Sequence, residues 1–364
     1  MTNWVEVKAG QRAFAQIQEH GLRQDDISLL LGASGGPKWF ILQGLDNYFF
    51  GDFFSQRQAP LELLGTSAGA WRFASLGRSN AAEASALFSR LYRATVYSDK
   101  PDVREITDKA IELLHEYVPD EAITEILNQE TFRHHMIVVR SKGLSASESR
   151  LGQSIGLLKA AALNAISRRT LASSFERVVF HHPSAQPPLG NDWNDLPTQH
   201  VTLTQDNFRE ALLASGSIPM VLAGVKDIPG APPGIYRDGG VTDYHFDLPL
   251  GARDGLILYP HFQREIIPGW FDKGLKKRRT RAEQWPNAVL IMPTQEFIDA
   301  LPYQKIPDRH DFANLDVASR QKFWQQATDA GYRLAEQLQD WIESGEIRQK
   351  VQRWEDGVFS LLKR

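Results

Sequence analysis

Short apolar runs recur along the chain and alternate with longer stretches in which apolar residues are spaced three or four positions apart. The short runs are rich in aliphatic residues, which is typical of strands that are buried on both faces of a sheet. Seven runs are strand candidates, at residues 27–31, 61–64, 136–139, 178–180, 235–237, 255–259 and 288–292. Strands that alternate with helices predict an α/β fold of three layers, in which helices cover both faces of a largely parallel central sheet.

The longer amphipathic stretches predict three helical regions. The first covers residues 73–129. The second, residues 149–175, is apolar and basic, which is typical of a core helix or, alternatively, of a lid or a wall for an acyl chain. The third runs mostly helical from residue 317 to 364 and carries an apolar stripe that we expect to pack on the core or on a second subunit. We therefore expect an α/β domain at residues 1–300 and a helical C-terminal extension, residues 301–364, packed on it.

The sequence Gly-Thr-Ser-Ala-Gly at residues 65–69 lies between a predicted strand and a predicted helix. A serine at such a turn has a strained backbone that pushes its hydroxyl outwards, and it needs glycines two residues before and after, here Gly65 and Gly69. The N-terminus of the next helix then lies beneath Ser67, where free N–H groups favour developing negative charge. The pattern predicts that Ser67 is a nucleophile.

The pattern G-x-S-x-G occurs three times, so its serines are ranked by their context. Ser154 follows a polar run, and no strand delivers it to a sharp turn. Ser34 follows the good strand at residues 27–31 and is a closer rival. However, a glycine-rich loop between a strand and a helix also builds an oxyanion hole from backbone N–H groups. We therefore favour Ser67 over Ser34.

A nucleophilic serine needs a base, and Asp238 is the best placed candidate. It ends a short apolar approach and precedes Gly239 and Gly240, which allow the backbone to pass close to another turn. A plain Asp-Gly turn between strands is the alternative for this segment taken alone. His245 and His261 follow apparent strands, so a conventional Ser-Asp-His triad stays open as a minor option.

Taken together, these motifs resemble the patatin-like phospholipase family, whose members use a Ser-Asp dyad. The resemblance implies that Ser67 is the nucleophile and Asp238 the base, and that residues 214–219 lie near the site. It also implies an oxyanion loop that includes a basic residue, Lys38. The backbone donors of the oxyanion hole are then Ser34, Gly35, Gly36 and Ala68, and the motif is completed by Gly65, Gly69, Gly239 and Gly240. The loop departs from the family pattern at Ala33, Ser34 and Trp39.

The resemblance implies a serine acyl hydrolase that cleaves acyl esters of lipids, as phospholipases and lysophospholipases do, through an acyl-serine intermediate. A small-substrate esterase or thioesterase is an alternative. A non-catalytic lipid-binding or regulatory protein on the same scaffold is another, because the departures in the glycine loop permit it. We expect no cofactor and no metal ion, since no metal-ligand spacing, phosphate loop or dinucleotide motif occurs.

Composition further limits the class of protein and the compartment to be expected. The 364 residues include no cysteine, which excludes disulfides and a thiol nucleophile and fits a reducing, cytoplasmic compartment. A net charge of −3 argues against general nucleic-acid binding. The N-terminus has no apolar signal region, and no apolar run is long enough to span a bilayer. Within the linker predicted at residues 267–286, the basic run at residues 273–281 predicts either peripheral contact with an anionic membrane or a solvated loop.

Overall fold

The structure is a computed structural model, and it describes residues 2–187, 189–250 and 253–355. Its strands, in chain order, are β1 (Val5–Ala9), β2 (Ile27–Gly32), β3 (Leu61–Thr66), β4 (Phe132–Ser141), β5 (Phe175–His181), β6 (Thr198–Thr202), β7 (Val225–Lys226), β8 (Ile235–Asp238), β9 (Leu256–Pro260), β10 (Ala288–Pro293) and β11 (Gln352–Arg353).

The helices follow the amphipathic stretches of the sequence, and short 3₁₀ turns connect several of them. They are α1 (Gln11–His20), α2 (Gln43–Tyr48), α3 (Ala68–Leu76), α4 (Ala81–Ala94), α5 (Val103–Tyr117), α6 (Asp120–Asn128), α7 (Arg150–Ile166), α8 (Phe208–Ser215), α9 (Gly240–Asp243), α10 (Gln295–Ala300), α11 (Asp311–Asn314), α12 (Val317–Glu343) and α13 (Ile347–Lys350). None of the helices within the described residues is both long enough and apolar enough to cross a bilayer.

The strands of the described residues form one mixed sheet flanked by helices. Nine of them follow the order β11-β1-β10-β9-β2-β3-β4-β5-β6, while β8 pairs with β4 outside this order and β7 pairs with β8. Its centre, from β10 through β9, β2 and β3 to β4, is parallel. Both sides of these central strands are covered, and their residues are almost fully buried. The largely parallel α/β architecture predicted from the sequence is confirmed.

One register relationship in this sheet brings two distant parts of the chain together. The last residue of β3, Thr66, pairs with Ile137 on β4, and the last residue of β8, Asp238, pairs with the next residue of β4, Val138. Because β3 runs parallel to β4 and β8 runs antiparallel to it, the two carboxyl ends point towards each other. The turn after β3 and the turn after β8 therefore meet on one edge of β4.

All seven predicted strands are present, as β2 to β5 and β8 to β10. The four strands that were not predicted, β1, β6, β7 and β11, have a weaker apolar signal. β7 and β11 have two residues each, and β6 is a half-exposed edge strand. β1 alternates apolar and charged residues at its start and pairs antiparallel with β10. An edge strand with a solvated face carries a weaker hydrophobic pattern, so it is hard to identify from sequence.

The C-terminal region is helical up to residue 350, and the apolar stripe of α12 packs on the core of the chain. The prediction of helix continuing beyond residue 350 is wrong at β11, which pairs in parallel with Lys8 and Ala9 of β1. The helical prediction for residues 356–364 lies outside the described residues. The division of the chain after residue 300 stays a prediction.

Candidate active site

Ser67 lies in the sharp turn between β3 and α3, and its backbone has a φ of +52°. This left-handed conformation is strained for a residue with a side chain. The flanking glycines are required by close approach: a Cβ at Gly65 would lie 2.5 Å from the backbone of Ala70, and one at Gly69 would lie 1.9 Å from the carbonyl oxygen of Gly32. The elbow predicted from the sequence is therefore formed, with Ser67 at its tip.

The Ser67 hydroxyl donates a hydrogen bond to Oδ2 of Asp238, with 2.8 Å between the two oxygens. The other carboxylate oxygen, Oδ1, accepts the backbone N–H of Gly240 at 2.7 Å. A Cβ at Gly239 would lie 2.1 Å from the carbonyl oxygen of Ile137, so only glycine allows this turn to pass so close to β4. The two predicted residues, 171 positions apart in the chain, thus form a hydrogen-bonded pair with a fixed orientation.

The carboxylate of Asp238 is buried, and burial raises its pKa to about 6. The hydrogen bonds from Ser67 and Gly240 act in the opposite direction, as do the positive charges of Lys273 and Arg309. A carboxylate whose pKa lies near neutrality is a better proton acceptor than an ordinary aspartate. The fold therefore partly offsets the weak basicity that Asp238 would have in water.

The turn that follows α8 supports both members of this pair. Residues 214–219 were expected near the site, and Ser215 Oγ accepts the backbone N–H of Ser67 at 3.0 Å. The carbonyl oxygen of Ser217 accepts the backbone N–H of Asp238, also at 3.0 Å. One short segment therefore holds the backbones of both residues in register.

The glycine-rich loop after β2 lies beside Ser67, but its donors are not all free. The N–H of Ser34 donates to the carbonyl oxygen of Tyr244 at 2.9 Å. Gly35 and Gly36 border a cavity that contains Ser67. The N–H of Ala68 belongs to the first turn of α3, where helix donors have no partner within the helix. Of the predicted oxyanion donors, Gly35, Gly36 and Ala68 remain available, and the N–H of Ser34 does not.

Trp39, one of the departures from the expected loop pattern, and Lys38, its expected basic residue, both have clear structural roles. Trp39 is buried and stacks on Phe88, with ring centroids 4.7 Å apart, so it anchors the loop in the core. Lys38 donates to Oε1 of Gln263 at 3.1 Å and lies over the ring of Phe262. Burial lowers the pKa of Lys38. The side chain of Lys38 lines the same cavity as Ser67.

The two histidines considered for a Ser-Asp-His triad, His245 and His261, make other contacts. His245 Nδ1 accepts the backbone N–H of Ile267, and His261 Nδ1 accepts that of Gln263. Both rings are buried, and burial lowers the pKa of each. Neither ring bonds the Ser67 hydroxyl, whose hydrogen-bond acceptor is Asp238.

The third serine with the same motif, Ser154, lies inside α7. Its hydroxyl donates to the carbonyl oxygen of Arg150 within the helix. As expected from its sequence context, it is not at a strand-to-helix turn.

Two cavities meet at Ser67. The first, of about 240 Å³, contains Asp238 and is the more polar. The second, of about 350 Å³, extends between α3, α4 and α5 and is mainly apolar. Its walls include the side chains of Trp71, Phe88, Ile106, Leu113, Val221 and Leu222. A molecule with an apolar chain and a polar end fits this pair of cavities with its junction beside the Ser67 hydroxyl.

Three cationic side chains line the polar cavity: Lys38, Lys273 and Arg309. Arg309 lies between the two cavities and borders both. Lys273 lies over the ring of Tyr244, and burial together with the charges of Arg309 and Lys38 lowers its pKa to about 8. Arg309 was not predicted as a site residue, because no sequence motif marks the loop before α11.

The basic segment at residues 273–281 is partly exposed and is held by several side-chain contacts. Asp272 is buried and accepts hydrogen bonds from Asn164 and Arg278. Arg279 donates to Glu265 at 2.9 Å. The contact of Asp272 with Asn164 ties the start of the segment to α7, and the neighbouring Lys273 is among the residues that line the polar cavity. Contact of this segment with an anionic membrane stays a prediction.

Among the described residues, no three histidine, aspartate or glutamate side chains converge as a metal site requires.

Comparisons with known proteins found only a weak structural likeness. No protein-family model matches the chain, and a search of curated proteins found no match. Among solved structures, the chain is similar to VipD from Legionella pneumophila, with 11% sequence identity and a TM-score of 0.30. The match covers 71% of this chain and 53% of VipD, so it spans about half of that protein. A likeness of this size carries no functional weight.

Proposed function

We propose that this protein is a serine acyl hydrolase that cleaves carboxylic esters of lipid-like acyl chains. The observation that carries the proposal is the 2.8 Å hydrogen bond between Ser67 Oγ and Asp238 Oδ2 at the junction of a polar and an apolar cavity. A serine on a strained elbow, a base of raised pKa and nearby backbone donors are the parts that acyl transfer requires. The class includes phospholipases and lysophospholipases.

The reaction would proceed in two steps. Ser67 Oγ attacks the ester carbonyl carbon while Asp238 takes its proton, and the N–H groups of Gly35, Gly36 and Ala68 stabilise the oxyanion. Asp238 then gives the proton to the departing alkoxide, which leaves an acyl-serine. Water attacks this acyl-serine, its proton passes to Asp238, and collapse of the second oxyanion returns a proton to Ser67.

The two cavities suggest how a substrate would be oriented. The apolar cavity suits the acyl chain, because its walls are aromatic and aliphatic. The polar cavity would then hold the alcohol part, and its three cations, Lys38, Lys273 and Arg309, favour an anionic substituent there. We therefore propose an ester whose leaving alcohol carries a phosphate or carboxylate group.

The size of the apolar cavity favours this assignment over a small-substrate esterase or thioesterase, because a volume of about 350 Å³ exceeds what a short acyl group fills. A non-catalytic lipid-binding protein would use the same cavities without chemistry. Reaction with an electrophile distinguishes that alternative from a hydrolase.

The first experiment is labelling with a fluorophosphonate probe, with the modified peptide identified by mass spectrometry. We expect an adduct on Ser67 that is lost in Ser67→Ala and retained in Ser34→Ala and Ser154→Ala. If the wild-type protein is folded but takes no label, the hydrolase proposal is wrong. An adduct on Ser34 would move the nucleophile to the glycine-rich loop.

The alcohol part can be tested with two matched substrates, a monoacylglycerol and the same lipid carrying a phosphate on the glycerol. Arg309→Met should raise KM for the phosphorylated substrate, while the neutral one changes little. Lys322→Met, on the exposed side of α12, is the control for loss of one positive charge. Equal effects on both substrates would show that Arg309 does not recognise the anion.

A further inference from the structure

The helix α7 presents an apolar face to solvent. Five of the nine large hydrophobic side chains that are exposed in the described residues lie between residues 144 and 166. Four of them are on α7 itself: Leu151 is 73% exposed, Ile155 48%, Leu158 70% and Ile166 80%. Their spacing of three, four and eight residues puts them on one side of the helix, and Ala162 continues the row. These five residues are called the outer face of α7.

The opposite side of α7 already packs on the rest of the protein. A small rotation of the helix would therefore not bury the outer face. Ala160 is buried in a hydrophobic cluster. Gln153 Oε1 accepts the backbone N–H of Met220 at 2.8 Å, and Asn164 donates to the buried Asp272 at the same distance. The helix is therefore fixed at both ends with its apolar row outwards. The helix is thus packed on one side, as a core helix is, but it also exposes an apolar row. The alternative of a lid or a wall for an acyl chain stays a prediction.

The charges around the outer face are mostly positive. From residue 142 to 169 the chain has five basic residues and one acidic residue, Glu148. Glu148 forms an ion pair with Arg237, whereas the basic residues Arg150, Lys159 and Arg169 are exposed. A helix with an apolar row and flanking basic residues is typical of segments that lie in the plane of an anionic lipid surface.

The packed side of α7 contacts the walls of the polar cavity at two points. Met220, which Gln153 holds, directly follows Pro219 of the cavity lining. Leu157 belongs to the same hydrophobic cluster as Val241 and Trp270, which also line the cavity. A bilayer seated on the outer face would therefore lie close to the cavity that contains Ser67.

We infer that the outer face of α7 docks on the surface of an anionic lipid bilayer, with Leu151, Ile155, Leu158 and Ile166 inserted among the lipids. The apolar row supplies the hydrophobic contact, and the flanking basic residues supply attraction to anionic headgroups. This surface binding goes beyond the proposed hydrolysis and does not depend on it.

Flotation of the full chain with vesicles tests the inference. Wild type should float with vesicles of phosphatidylcholine and phosphatidylglycerol, bind much less to phosphatidylcholine alone, and detach as salt screens the charges. The triple variant Leu151→Gln, Leu158→Gln and Ile166→Gln should bind the anionic vesicles roughly tenfold more weakly or worse, since three apolar contacts are lost. Glutamine is a good helix former, so these exposed changes preserve α7.

The matched control is a triple variant at exposed apolar positions elsewhere: Val96→Gln, Val103→Gln and Val317→Gln. It should bind the vesicles like wild type. The inference is overturned if wild type ignores anionic vesicles, or if the α7 variant binds as wild type does. It is also overturned if light scattering finds a dimer that only the α7 variant dissociates, because the outer face would then be an interface between two copies.

The experiment separates this inference from the proposed hydrolase. Flotation needs no turnover, so the Ser67→Ala protein should bind vesicles normally. If the wild-type protein is labelled by the fluorophosphonate but does not bind vesicles, only the docking surface is wrong. If it binds vesicles but takes no label, only the hydrolase proposal is wrong.

Discussion

The hydroxyl of Ser215 connects the nucleophile elbow to the central sheet. It accepts the backbone N–H of Ser67 at 3.0 Å and donates to the carbonyl oxygen of Ile137 on β4 at 2.9 Å. Ser67 has a left-handed backbone, and such strain persists only where the surroundings hold it. Ser215 is therefore a positioning residue for the Ser67 backbone.

We expect Ser215→Ala to lower kcat and the rate of fluorophosphonate labelling, with KM nearly unchanged. The substitution leaves a buried N–H and a buried carbonyl without partners, which typically costs about 1–3 kcal/mol of folding stability. Ser215→Thr retains the hydroxyl and should recover part of the rate. If kcat stays at the wild-type value while stability falls, Ser215 has only a structural role.

The pH dependence of wild-type kcat/KM should have an acidic limb near pH 6. Asp238 can accept the Ser67 proton only when ionised, and burial raises its pKa to about 6. Activity should therefore fall as the pH drops through this value, whereas an ordinary aspartate would keep it down to about pH 4. Measuring kcat/KM on a soluble ester from pH 4.5 to 8 checks this, and a flat profile down to pH 4.5 would contradict the assignment.

Lys273→Met should move that acidic limb to higher pH. The positive charge of Lys273 lowers the pKa of Asp238, so its removal favours the protonated carboxyl. Lys322→Met again serves as the control and should leave the profile in place. If the acidic limb of the kcat/KM profile is unchanged in Lys273→Met, the charge of Lys273 does not affect the pKa of Asp238.

Asp238→Asn should abolish nearly all turnover and yet stabilise the fold at pH 8. The pKa of Asp238 is higher in the folded protein than in the unfolded chain, so its contribution to stability is lost as pH rises through about 6. Asparagine removes the buried charge, and the gain at pH 8 should be at most roughly 3 kcal/mol. Urea unfolding at pH 8 and pH 5 tests this, because the gain should shrink at the lower pH. If Asp238→Asn is less stable than wild type at pH 8, the predicted increase in the free energy of unfolding is wrong.

Gly69→Ala should prevent correct folding of the elbow. The added Cβ would lie 1.9 Å from the carbonyl oxygen of Gly32. Because this neighbour is a backbone atom of a central strand, it cannot move aside easily. Gly274→Ala is the control, because nothing lies within 4 Å of a Cβ there. Thermal unfolding should report a large loss for Gly69→Ala and almost none for Gly274→Ala.

Ala110→Phe should shorten the acyl chains that the protein accepts. Ala110 lines the apolar cavity, so a phenyl ring there would fill part of the volume proposed for the chain. We expect kcat/KM to fall for long acyl esters and to be retained for acetyl esters. Ala318→Phe, at an exposed position of α12, is the control for the added ring. Parallel losses for all chain lengths would argue against this cavity as the acyl site.

The sequence identified the elements whose physical requirements are local. Residues 27–31 and 61–64 are apolar enough to be predicted as buried strands, and the glycines around Ser67 indicate a turn that only glycine allows. The Asp-Gly-Gly sequence at residues 238–240 indicates the second turn in the same way. By contrast, the short strand β7 and the edge strand β6 were missed, because their pattern is polar or too brief.

The tertiary structure alone decided how these parts meet. Thr66 and Asp238 pair with consecutive residues of β4, so the Ser67 hydroxyl reaches a carboxylate that is distant in the chain. Burial at that meeting point raises the pKa of Asp238, and no local pattern encodes the burial of a residue by remote segments. The cavity position of Arg309 and the outward apolar row of α7 depend in the same way on long-range packing. The amino-acid sequence determined which residues are chemically able to act, and the sheet register decided which of them come into contact.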